Sequence, residues 1–165
     1  MIVKKVALYG MYVTLAFVFS YIEHVIMPVN GIPGIKLGLA NVVVVTALYI
    51  HGVRTGMFVN IVRIILAGLL FGNLFGIIYS MAGGMTSFIV MVIMKKTDRF
   101  SIKGVSVTGG VMHNIAQIAV AAVMLKTKAV FSYLPVLIIA GTIMGVLVGV
   151  ISSFVVPAVK KYENI

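Results

Sequence analysis

The feature that most constrains this chain is that its apolar residues fall into six long runs separated only by short polar breaks. A helix needs about 20 apolar residues to cross the hydrocarbon core of a bilayer, with about 17 as a practical minimum. The breaks therefore predict six transmembrane helices, at about residues 5–27, 35–50, 56–71, 74–94, 105–125 and 134–159. The second and third runs sit at the edge of spanning length, so a re-entrant pair there would leave four full crossings. Of the 165 residues, 62% are hydrophobic and 10% charged. Soluble domains carry roughly 25% charged residues, so these runs cannot be one core inside a wet surface. The expectation is an all-α protein, a single domain over residues 1–165, passing several times through the lipid bilayer of the cell membrane. Lys4-Lys5 and the apolar stretch after them imitate a secretory signal, but the run is long and no small-x-small cleavage site follows it. It is expected to remain as a helix.

Orientation follows from Lys and Arg, which accumulate on the cytoplasmic side of short loops. With six crossings, one side receives Lys4, Lys5, Arg54, Lys95, Lys96, Arg99, Lys103, Lys160 and Lys161, and the other receives Lys36, Lys126 and Lys128. Nine against three places both termini in the cytoplasm. The net charge of +10 is then a signature of topology, and no nucleic acid is expected as a partner. The longest break, about 95–104, is ten residues, so function is expected inside the bundle and its short loops.

Several chemistries are excluded by what the chain lacks. It has no Cys, and its three acids are Glu23, Asp98 and Glu163. No G-x-x-x-x-G-K-[ST] loop is present to cradle nucleotide phosphates, and no H-E-x-x-H pair to hold a catalytic metal. A prenyl diphosphate synthase needs clustered aspartates to hold magnesium against diphosphate, whereas Asp98 is the one Asp in the chain. The chain is not expected to be a self-contained enzyme, to hold a metal, or to carry a cofactor.

Ionisable and amide side chains at membrane depth are costly, so each marks a candidate site. Arg63 lies about eight residues into the third run, roughly 12 Å from its cytoplasmic end. It serves either as a cation bridging helices or as a partner for an anionic ligand. His113, Asn114 and Gln117 form a polar stripe on the fifth run, fit for interhelical hydrogen bonds or for a ligand. A third group gathers toward the outer rim: Glu23, His24, Asn30, Lys36, Asn41, Asn73, Tyr79 and Ser80. Gly31, Pro33, Gly34 and Gly38 make the first outer loop bend tightly and expose backbone N–H groups near the second helix, a favourable place for an anion. A wet loop end would account for the same residues. On this layout Glu23 and Arg63 differ by roughly 15 Å in depth and are not expected to pair.

Small residues recur every fourth position at Gly141, Gly145 and Gly149, at Gly68, Gly72 and Gly76, and more weakly at Gly10 and Thr14. In lipid such stripes let helix backbones approach, either within one bundle or onto another membrane protein.

The stretch Pro33-Gly34-Ile35-Lys36-Leu37-Gly38-Leu39-Ala40-Asn41, the Arg63 helix, Tyr79-Ser80-Met81-Ala82-Gly83-Gly84 and His113-Asn114-Ile115-Ala116-Gln117 together resemble the Gx transporter family. Its members are often labelled heptaprenyl diphosphate synthase component I, and they are similar to the substrate-binding S components of energy-coupling factor (ECF) transporters. The resemblance implies a six-helix membrane subunit that binds a small molecule from outside. A separate membrane coupling protein and two ATPase subunits would supply energy. S components often dock through an A-x-x-x-A pattern on helix one; here Met11 follows Ala7 at that spacing, while Gly10 and Thr14 are correctly spaced but differ in type.

The expectation is therefore a substrate-capturing subunit for a small, anionic or strongly polar molecule, vitamin-like or related to isoprenoid or quinone precursors. Its cavity would open outward between helices one, two, four, five and six, closed by the loop from Pro28 to Lys36. The substrate-binding candidates are Glu23, Asn30, Lys36, Asn41, Arg63, Tyr79, His113, Asn114 and Gln117, and the docking candidates are Gly10 and Thr14. Two rivals stand beside it. One is a non-catalytic membrane subunit associated with heptaprenyl diphosphate or quinone synthesis. The other is an autonomous ion-coupled carrier with Glu23 or His113 as the proton-binding group.

Overall fold

The structure, a computed structural model, describes residues 2–26 and 37–163. Among them it is built of α1 (Ile2–Ile26), α2 (Leu39–Ile50), α3 (Val53–Phe71), α4 (Leu74–Lys96), α5 (Ile102–Met124) and α6 (Leu134–Glu163), with a short 3-10 helix at Ala129–Tyr133 and no strand. Each of the six apolar runs forms a helix, and all except α2 are long and apolar enough to cross a membrane. The third run, read as marginal, gains a turn because its helix begins at Val53 and reaches 19 residues. The second is shorter than expected. Its 12 helical residues extend about 18 Å at 1.5 Å per residue, well under the roughly 30 Å hydrocarbon layer.

Burial explains how so short a helix is held. Val42, Val43, Val44, Val45, Thr46, Ala47 and Leu48 are buried without interruption, so every face of α2 is covered. A helix apolar on all sides belongs inside a bundle, and α2 packs against α1, α3 and α6. Charges on neighbouring helices meet its ends. The Glu23 carboxylate of α1 accepts from the backbone N–H of Gly38 and, at 3.1 Å, from that of Leu39. The Lys95 ammonium of α4 donates to the Leu48 carbonyl at 2.6 Å and lies 4.9 Å from the Tyr49 ring centre. An anion at the N-terminus and a cation at the C-terminus both favour the helix dipole. Gly38, at φ 76°, takes the left-handed turn that sets up this first N–H pair.

The helices alternate in direction. Tyr9 lies beside Phe58, and Phe17 stacks on Phe71, so α1 and α3 run the same way. Gly56 lies against Phe88 and Gly68 against Ile77, so α4 opposes α3. The α5–α6 seam carries the glycine stripe. A Cβ on Gly141 would lie 2.8 Å from the Gly110 carbonyl oxygen, one on Gly145 would lie 2.6 Å from the Val107 Cα, and one on Gly149 would lie 2.7 Å from the Lys103 Cα. That stripe is spent on packing within the bundle, backbone against backbone. Lys5, Arg54, Lys95, Lys96, Arg99, Lys103, Lys160 and Lys161 consequently gather at one end, and Lys126 and Lys128 at the other. Asn73, placed in the outer polar group by sequence, is the N-cap of α4, accepting from the Gly76 N–H at 2.8 Å.

Candidate functional site

The deepest polar residues meet in one layer halfway through the bundle. Arg63 stands ten residues, about 15 Å, above the start of α3 at Val53, and Gly84 twelve residues, about 18 Å, above the end of α4 at Lys96. His113 is eleven residues, about 17 Å, above the start of α5 at Ile102. The first turn of α2 reaches the same level, since α2 rises about 18 Å from its end beside His51.

On one side of this layer the Arg63 Nη2 donates to the Asn41 Oδ1 at 2.7 Å and to the Asn60 Oδ1 at 3.0 Å. Asn60 passes the connection on, its Nδ2 donating to the Gly84 carbonyl at 3.0 Å. Arg63 is 9% exposed, and its Nε is buried with no partner among the described residues. Glu23 belongs to the same cluster, because Asn41 lies in the α2 turn that Glu23 caps and the Glu23 carboxylate is close enough to act on the Arg63 charge. Glu23 still stands above Arg63 in depth, because Tyr21 and His24 on either side of it both lie against Phe71, eight residues and about 12 Å above Arg63 on α3. The first turn of α2 bridges the gap, capped by Glu23 and bonded through Asn41 to Arg63.

On the other side α5 presents His113 and Gln117 to Gly83 of α4. A Cβ on Gly83 would lie 2.8 Å from the Gln117 Cγ and 2.9 Å from the His113 Nε2. One residue on, a Cβ on Gly84 would lie 2.6 Å from the Ile64 Cδ1. The Gly83-Gly84 step therefore lets α4 pass between two polar clusters with backbone alone. Gln117 is wholly buried, and neither its Nε2 nor its Oε1 has a hydrogen-bond partner among the described residues.

Not every candidate joins this layer. Asn114 turns to α6 and donates from Nδ2 to the Leu137 carbonyl at 2.7 Å, which gives it an interhelical bond. Tyr79 is one turn above Gly83 on α4 and stacks on Phe75 at 5.9 Å. Asn30 and Lys36, with the rest of the loop from Pro28, lie outside the described residues. Gly10 and Thr14 are exposed on α1, and open space surrounds the position of a Cβ on Gly10. Asn60 is the member that sequence reasoning missed, and Gly83-Gly84 was noted there only as part of the family motif. The available signal for Asn60 was its place three residues before Arg63, on the same helix face. No three His, Asp or Glu side chains come together as a metal site among the described residues. The layer as built can compensate an anion through Arg63 and offer amide hydrogen bonds beside it.

A family model described as heptaprenyl diphosphate synthase component I matches residues 12–155. No curated protein and no solved structure matches the chain.

Proposed function

The chain belongs to the heptaprenyl diphosphate synthase component I family, and from that premise we propose that it is the substrate-capturing membrane subunit of an ECF-type transporter. It takes up a small anionic or strongly polar molecule, while a separate membrane coupling protein and two ATPase subunits supply movement and energy. The observation that carries this reading is the mid-depth layer, where Asn41, Asn60, Arg63, His113 and Gln117 converge from three helices, with Glu23 of a fourth at its upper edge, within a largely apolar bundle. Polar and charged groups at that depth weaken a membrane protein unless a function keeps them. The chain is not itself an enzyme in this reading, since it has neither a phosphate-binding loop nor paired aspartates.

The basic end faces the cytoplasm, with both termini, because Lys and Arg are retained on that side. Six crossings follow if α2 counts as the return between α1 and α3, which run the same way. Purifying the tagged protein in mild detergent and identifying its companions tests the proposal. A membrane coupling protein with two ATPases is the expected outcome. Recovery of a soluble, Asp-rich prenyl diphosphate synthase in their place would overturn it. That result would favour the second reading, which the family's description supports: a non-catalytic membrane companion of heptaprenyl diphosphate synthesis.

A further inference from the structure

We propose that Gln117 reads an uncharged group on the captured molecule that presents a hydrogen-bond donor and an acceptor side by side, as a carboxamide, lactam or imide does. The inference rests on the transport reading and narrows its substrate class. Among the described residues three amide side chains are buried, and two have evident structural work: Asn60 donates to the Gly84 carbonyl at 3.0 Å and Asn114 to the Leu137 carbonyl at 2.7 Å. Gln117 is the most deeply buried of the three, at 0% exposure, yet both ends of its amide are sealed from solvent and unbonded among the described residues. An amide offers two donors and two lone pairs, and burying them unmade opposes folding more than an apolar side chain of the same shape would. Packing alone therefore does not account for a glutamine at this place.

The ligand chemistry follows from what would satisfy both atoms. A diphosphate or carboxylate offers acceptors only, which serves Nε2 and leaves Oε1 unmet. An ammonium offers donors only and leaves Nε2 unmet. A planar group with N–H next to C=O pairs with both at once. Arg63 lies in the same layer, across the Gly83-Gly84 step, so the molecule carries its amide-like group beside an acidic or strongly polar one. Gln117 is closed in against α4 at Gly83. The ligand reaches it when α4 and α5 part at that step, where α4 presents glycine to the Gln117 side chain.

Gln117 is the one glutamine in the chain, so labelling glutamine side chains with nitrogen-15 gives a single pair of amide proton signals from the full-length protein in detergent. The probe is 2-pyrrolidone, the smallest convenient lactam, with sodium acetate as the acceptor-only control. Pyrrolidone should move both signals and saturate, while acetate should not. No saturable movement with pyrrolidone, or equal movement with acetate, would overturn the assignment. Gln117→Leu, which keeps the volume and removes the polar atoms, supplies the second measurement. Its unfolding midpoint should rise by a few degrees, and the small molecules retained through purification should fall at least about tenfold. A lower midpoint would mean that the amide is already partnered in the folded protein, and unchanged retention would mean that it touches no ligand; either sinks the assignment and leaves transport standing. Parent vesicles that take up nothing with the ATPases present would instead sink transport, even where pyrrolidone shifts the signals.

Discussion

At the scale of single residues, Arg63 is the group whose surroundings matter most. A guanidinium in an apolar bundle persists only where acceptors and a counter-charge meet it, and here Asn41, Asn60 and the nearby Glu23 do so. Asn60 holds both ends of a link, accepting from Arg63 and donating to α4. Asn60→Leu should therefore destabilise the protein by about 1–3 kcal/mol, the usual effect of stranding a buried partner. Thermal unfolding of the purified variant would measure it. Arg63→Gln separates two roles. If Arg63 also contacts an anionic ligand, the variant should fold in reduced yield and retain less bound small molecule per folded protein; retention equal to the parent would confine Arg63 to bridging helices.

At the scale of elements, α2 is the unusual one, since it is too short to cross and too apolar to leave the interior. Its two ends are fastened by side chains from α1 and α4, which ties three helices to one dipole. Lys95→Met keeps the aliphatic stem and removes the donor to Leu48. It should lower stability by about 1.5–3 kcal/mol, the range for a charged hydrogen bond, and a denaturant series in detergent would detect it. The α5–α6 seam has no such adjustable parts. Gly145 faces the Val107 backbone, so even Gly145→Ala must push two helices apart. The expected loss is about 1–3 kcal/mol, with Gly145→Leu failing to accumulate as folded protein; parent-like unfolding of the alanine variant would contradict the packing described.

At the scale of the whole molecule, two surfaces carry predictions. The basic end, from Arg54 to Lys161, should be cytoplasmic, and the end with Lys126 and Lys128 external. The chain has no Cys, so single cysteines at positions 99 and 127 can be probed with an impermeant thiol reagent. Position 127 should react in intact cells and position 99 only after permeabilisation; the opposite pattern would invert the orientation. The second surface is the outer face of α1, where Met11, Leu15, Val18, Tyr21 and Val25 are exposed beside Gly10 and Thr14. A side chain at Gly10 meets nothing in this bundle, so Gly10→Leu should leave unfolding unchanged. If α1 docks on a coupling protein, the same variant should lose its companions in a gentle purification while keeping its retained small molecules. A fall in stability would show instead that Gly10 packs within the protein.

The sequence by itself determined the helical class, the number and approximate ends of the apolar runs and the basic end of the bundle. Those properties are local, because in lipid each segment must satisfy its own backbone and its own hydrophobic length. It also brought out Arg63, His113 and Gln117, since polar atoms in an apolar run are conspicuous one residue at a time. Only the tertiary structure decided which of them meet. Asn114 and Gln117 are three residues apart on α5, yet one bonds to α6 and the other faces α4, a divergence set by where neighbouring helices approach. Glu23 and Arg63 stand about 12 Å apart in depth, yet the first turn of α2 lies between them and joins carboxylate to guanidinium through Asn41. Run lengths carry no information on that link. The helices slide until small residues meet backbone and charges meet helix ends, and the resulting heights belong to the packing of the whole bundle.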